Sequence, residues 1–96
     1  MLFLSRYGEA EPLYLEALEI SKAELGDRHP STAQSLNNLA ALYYSTNRLS
    51  EAATTMSSVV SIFEELLGPN HPNTITVKIN RDALQQALSK QPSQEN

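Results

Sequence analysis

The chain has 96 residues, seven Lys and Arg against eleven Asp and Glu, and no cysteine. One domain with a modest core is all that this length allows, and the missing cysteines remove disulfides and thiol chemistry. The bases are scattered, three before residue 48 and four from there on. They do not form the basic patch that phosphate binding relies on, which argues against a nucleic-acid partner. No apolar run approaches the ~18 residues of a membrane-spanning helix. Met1-Leu2-Phe3-Leu4 is too short for the core of a signal peptide. Together these features lead us to expect a cytoplasmic protein with no membrane association.

The first predicted element covers about residues 6–24. Ala10, Leu13, Tyr14, Ala17 and Leu18 recur at helical spacing and form one apolar stripe. Pro12 sits awkwardly in it, because a proline beyond the first turn removes a hydrogen bond. Either the regular helix starts later or its first turns bend. Gly26 stands where a helix C-terminal glycine stands. A second helix is predicted over 30–45, with His29 as its cap and Pro30 at its first position. Its stripe is Leu36, Leu39, Ala40 and Tyr43, and Ser45-Thr46-Asn47 breaks it. The third runs over about 48–66 on Ala52, Met56, Val59, Val60 and Phe63. Leu67-Gly68-Pro69 ends it, and the fourth follows over about 72–89. Residues 1–90 make the domain, and the polar residues 91–96 read as a mobile tail.

The order of these elements is a repeat. Shifted by 42 residues, Arg6 falls on Arg48, Glu9 on Glu51 and Ile20 on Ile62. Leu25-Gly26 falls on Leu67-Gly68, His29-Pro30 on His71-Pro72, and Thr32 on Thr74. A fixed period of this size points to stacked supersecondary units. Short connections make neighbouring helices antiparallel, and a repeated antiparallel pair builds a solenoid.

Within the repeat, Leu36-x2-Leu39-Ala40-x2-Tyr43 followed by Ala52-x3-Met56 matches the spacing of the tetratricopeptide pattern. Ala10-x3-Tyr14 echoes its second half. The phrases AEPLYLEALEI, LGDRHP and SLNNLAALY resemble the longer-period repeats of kinesin light chain and of related bacterial proteins. The resemblance covers about residues 6–72 and points to a bacterial source. It implies an all-α right-handed superhelical segment of four helices, phased as a half repeat, a full repeat and a half repeat. At the positions of Leu36, Leu39, Ala40 and Tyr43, the last helix carries Lys78, Arg81, Asp82 and Gln85. Polar residues there read as the solvating cap that solenoids need. No such cap precedes the first helix, so apolar surface near Met1 to Leu4 and Tyr7 could serve self-association.

The resemblance also implies a function, an interaction scaffold whose concave groove receives a peptide or partner protein. The groove positions of the family fall on Gln34, Asn37, Asn38, Ala41 and Tyr44, and in the next copy on Thr76, Ile79, Asn80 and Ala83. Asn donates and accepts, so it suits an extended backbone, and Tyr adds contact area with a hydroxyl. The Lys/Arg set with which some members hold a peptide carboxyl terminus is absent. The alternative is a structural unit that assembles with copies of itself or with further repeats, without a ligand of its own. Enzymatic chemistry has little to stand on. His29 and His71 occupy one connection position in two copies, and a zinc site wants three or four convergent ligands. Glu64 and Glu65 are adjacent and do not share a helix face. Thr54-Thr55-Met56-Ser57-Ser58 reads as a polar face before it reads as a phosphorylation site. No metal or cofactor is expected.

Overall fold

The computed structural model describes residues 2–90, with side chains from Gly8 onward. The polar segment 91–96 and the apolar side chains of Met1 to Leu4 and Tyr7 lie outside the described residues. Four helices follow one another: α1 (Leu2–Leu25), α2 (Pro30–Ser45), α3 (Leu49–Leu67) and α4 (Pro72–Lys90). The described residues contain no strand. Among the described residues, contacts join α1 to α2, α2 to α3 and α3 to α4, and no other pair of helices. That neighbour-only pattern is what distinguishes a stacked array from a bundle. The radius of gyration, 14.1 Å, exceeds the about 12.5 Å of a compact chain of this length.

The helix ends are written in local chemistry, twice. His29 caps α2 in an extended conformation, and its Nδ1 accepts the backbone N–H of Ser31 at 3.0 Å. His71 does the same for Asn73, also at 3.0 Å. Proline then takes the first helical position, where no N–H is needed. Gly26 and Gly68 close the preceding helices with φ of +98° and +95°. Inside the following turn, Thr32 and Thr74 are fully buried. The Thr32 hydroxyl donates to the Gly26 carbonyl at 2.7 Å, and that of Thr74 to the Phe63 carbonyl at 3.3 Å. The middle connection is built differently. Asn47 adopts the left-handed conformation (φ 62°), which asparagine tolerates better than most residues. Thr46 returns its hydroxyl to the carbonyls of Leu42 and Tyr43.

One sequence expectation for α1 needs correcting. The helix begins at Leu2 rather than near residue 6, and no glycine or proline interrupts residues 2–7. Of the two alternatives at Pro12, a regular helix that starts after it does not hold, since α1 runs through Pro12. Pro12 cannot bond the carbonyl of Gly8, but both residues are exposed, so water reaches the orphaned group. The α1 stripe is only partly a core stripe. Leu18 is buried, whereas Leu13 is 64% exposed and Ala17 is exposed as well.

The core lies between α2, α3 and α4. Ala40, Ala52, Ala53, Met56, Val59, Val60, Val77 and Leu84 form it, with Leu36, Tyr43, Leu49, Phe63 and Leu88 packed around them. Ala40 faces α3 across a seam that a larger side chain would pry apart. Ile62 is 2% exposed and Val59 is fully buried, which makes them the largest apolar groups sealed from water. α3 is thus covered on both sides, by α2 before it and by α4 after it.

Candidate functional site: the groove between α2 and α4

Packing two helices on the same side of α3 leaves a furrow between them. Asn37, Ala40, Ala41 and Tyr44 form the wall from α2. Asn80, Ala83, Leu84 and Ala87 form the wall from α4, and Met56 of α3 closes the floor. The space is about 370 Å³, within the ~300–1,000 Å³ of small-ligand sites. Its width comes from alanine. Ala41 and Ala83 are repeat counterparts, and each withholds the side chain that would fill the furrow. The floor is apolar, and no charged residue lines it. Asn37 and Asn80 offer amides from opposite walls, and Tyr44 stands at the mouth, 60% exposed. Such a surface can bury apolar side chains and hydrogen-bond a backbone, but it holds no acid, base or nucleophile to do chemistry.

The structure brings together Asn37, Ala41, Tyr44, Asn80 and Ala83 of the sequence candidates. It leaves Gln34, Asn38, Thr76 and Ile79 outside the furrow. Gln34 donates to Asn38 at 3.2 Å, and both are exposed. Ile79 is 61% exposed. The reason is geometric. The same repeat positions on two helices point the same way, but a furrow between two helices uses opposite faces of them. The wall from α2 uses positions 37, 40, 41 and 44. The wall from α4 uses the counterparts of 38, 41, 42 and 45. Ala40 and Met56 were missed because they read as core in the sequence, and Leu84 and Ala87 because the sequence reading gave the fourth helix no apolar stripe. Met56 and Leu84 are core and floor at once, being only 5% and 8% exposed.

A second polar cluster sits where the chain turns from α2 to α3. The Arg48 guanidinium bonds Glu11 of α1 at 2.7 Å and Glu51 of α3 at 2.7 and 2.9 Å, and lies 4.5 Å over the Tyr43 ring. Hydrogen bonds from Arg48 hold the Glu51 carboxyl below its ordinary range, and those to Glu51 and then Glu11 raise the Arg48 pKa. Burial, helped by the Glu11 charge, raises the Tyr43 phenol. Every charge here is paired, so the cluster is a clasp between three helices and not a site. It gives a pH prediction. Glu51 has a lower pKa folded than unfolded, so its contribution is present above the unfolded pKa and is lost as pH falls through the folded one. Glu51→Gln should therefore narrow the difference between the urea midpoints measured at pH 7 and pH 3. An unchanged difference would remove Glu51 from the acid sensitivity of the fold.

Elsewhere the charges pair as surface groups do. Lys78 meets Glu64 at 2.9 Å, Arg81 meets Asp82 at 3.1 Å, and Arg28 ties the first connection to Glu65 and Ser61 of α3. Among the described residues no three His, Asp or Glu side chains converge on a point, and both histidines are spent on capping. No described helix is long and apolar enough to cross a membrane.

Comparison with known proteins matches this geometry. The tetratricopeptide repeat family model covers residues 2–65. A relative from Arabidopsis thaliana, "Protein KINESIN LIGHT CHAIN-RELATED 3", is 39% identical over 66 residues, which is 69% of this chain and 10% of that protein. The chain thus spans about a tenth of the relative's length. The relative is a plant protein and lends no support to a bacterial source. Tetratricopeptide repeats are non-catalytic modules that mediate protein–protein interaction. Four antiparallel helices, a Leu-x2-Leu-Ala-x2-Tyr core and the family match place the chain in the tetratricopeptide repeat family.

Proposed function

We propose that the furrow between α2 and α4 receives a segment of a partner protein in an extended conformation. The observation that carries this reading is an uncharged, alanine-walled groove with an amide on each wall, Asn37 and Asn80. The alanines leave room for one or two apolar side chains of the ligand. The amides pair with its backbone, and Tyr44 covers it from the mouth. With no cation in the lining, a free carboxyl terminus is not the recognised feature. One furrow is short, so the affinity of the isolated chain is weak. A cytoplasmic location, with neither nucleic acid nor membrane as a partner, goes with this reading.

A random peptide display library panned against the chain tests it. Enriched peptides should bind the parent and lose about tenfold or more in affinity on Asn37→Ala/Tyr44→Ala/Asn80→Ala, a loss in the range of a few interface contacts. Circular dichroism should show unchanged helix in that variant. Ala83→Arg, which fills the furrow from an exposed position, should abolish binding. Enrichment indifferent to both variants would remove the groove from the function.

A second reading makes the chain a structural unit of a larger assembly or of a longer repeat array. Exposed apolar residues on α1 favour it, Leu13 and Ile20 above all, as does the tenth of the relative's length that the chain spans.

A further inference from the structure

The two walls of the furrow match in length and direction. α2 and α4 are separated by one antiparallel helix, so they run parallel. One wall extends from Asn37 to Tyr44 and the other from Asn80 to Ala87. A wall of that length spans about 10 Å of helix, which an extended chain crosses in about three residues. Asn37 and Asn80 both begin their walls, so their amides stand on opposite sides of the same end of the furrow, and Tyr44 stands toward the other end. The Asn38 amide accepts a hydrogen bond from Gln34 at 3.2 Å. Among the described residues, the side chains of Asn37 and Asn80 carry no such bond, and both amides are left to a ligand.

A helical occupant spends its own N–H and C=O groups internally. It would cover both amides and bond neither, which leaves polar groups unpaired. In an extended segment those groups are free, and successive residues turn them to opposite sides. Asn37 thus bonds one residue of the segment and Asn80 the next. The side chains then alternate between floor and mouth. Of three residues the first and third share a face, and the floor offers two apolar groups, Met56 and Leu84. Charge is kept out over a wider area than the lining. α2 carries no charged residue. On α4, Lys78 is held by Glu64 at 2.9 Å and Arg81 by Asp82 at 3.1 Å, and none of these lines the furrow. A charged side chain of the ligand would lose its water there and gain no partner. On the reading that the furrow is the binding site, we propose that it selects an uncharged, extended core of about three residues, apolar at the first and third, gripped through its backbone and bound with an affinity insensitive to salt.

Segments recognised by charge fit less well. A basic segment is drawn to α1, where Glu9, Glu16, Glu19 and Glu24 are exposed and lie outside the furrow. An acidic one meets a chain of net charge −4 and finds no base in the lining.

Three pools of short peptides with blocked termini test the proposal by NMR titration of the isotope-labelled chain, in which shifts at Asn37, Ala41, Asn80 and Ala83 report the furrow. The neutral pool mixes Val, Leu, Ile and Phe at two alternate core positions, with Ser, Thr and Gln elsewhere. The charged pool has Lys or Glu at the first of those positions. The methylated pool is the neutral one with N-methyl groups on two successive core residues. The neutral pool should shift the furrow with the same affinity at low and high salt. The charged and methylated pools should bind about tenfold more weakly or worse, the loss expected of a buried group without its partner. Asn37→Ala/Asn80→Ala should lower the neutral pool to the level of the methylated one and leave the methylated one unchanged. Furrow shifts from the charged pool at equal affinity, binding that weakens with salt, or methylation without effect would overturn the proposal and leave the groove standing as the site. A furrow that no pool shifts would overturn it as well, and the display-selected peptides with Ala83→Arg then decide separately whether the groove is the site.

Discussion

Ile62→Ala is expected to cost about 3 kcal/mol of stability, a value typical of a buried isoleucine cut to alanine. Ile20→Ala is expected to stay within about 0.5 kcal/mol of the parent, as exposed substitutions do. The two residues are identical and occupy the same position of the repeat. Ile62 is 2% exposed and Ile20 is 51% exposed, and that is the whole difference. Removing the outer atoms of Ile62 leaves a cavity where a side chain sealed from water stood. Removing those of Ile20 uncovers little, because about half of the residue already meets solvent. In a chain this short the larger change should lower the melting temperature by roughly 15 °C. Urea unfolding followed by circular dichroism measures both. If Ile20→Ala costs as much as Ile62→Ala, Ile20 is already covered in solution, and sedimentation of the same sample would show by what.

That pair also locates what the sequence could and could not tell. The helices, their His-Pro starts and their glycine ends were legible because each depends on residues within one turn of it. The repeat was legible because the same local solutions occur twice. Which residues of the α1 stripe are buried was not. Ala10, Leu13, Tyr14, Ala17 and Leu18 recur as one stripe, and periodicity does not reveal that Leu18 is buried while Leu13 and Ala17 are exposed. The groove was half legible for a related reason. Applying one set of repeat positions to both walls found Asn37, Ala41 and Tyr44 on α2, and Asn80 and Ala83 on α4. It also selected Gln34, Asn38, Thr76 and Ile79, which the furrow does not use, since the inner faces of two parallel walls are different faces of the repeat. Met56 gave no signal as a floor residue, because a side chain that is core from one side looks the same in sequence whether or not its other side meets a cavity. Arg48 reached Glu11 across 37 positions, a contact that no local rule addresses.

Gly68→Ala should destabilise the chain by about 2 kcal/mol although the new methyl group meets nothing. An ideal Cβ at Gly68 finds no heavy atom within 4 Å. The cost lies in the backbone, where φ is 95° and ψ is 155°. That combination is open to glycine almost alone, and other residues pay ~1–3 kcal/mol for it. Pro69 is the reason that ψ is so large. The residue before a proline is pushed away from helical ψ by the proline ring. The left-handed conformation with small ψ, which asparagine tolerates, is thereby closed as well. Gly68→Asn should therefore be no better than Gly68→Ala, even though Asn47 holds a left-handed φ of 62° one connection earlier. Gly8 gives the opposite sign. It lies inside α1, exposed and with open space around its Cα, so Gly8→Ala should stabilise by about 0.5–1 kcal/mol through helix propensity and lost unfolded-state freedom. The double variant Gly68→Ala/Pro69→Ala separates the two causes at position 68. Freed from the proline, the substituted alanine can relax toward the left-handed well, so the pair should cost less than the sum of the two single changes. Strict additivity would place the strain in φ alone and leave Pro69 no part in ending α3.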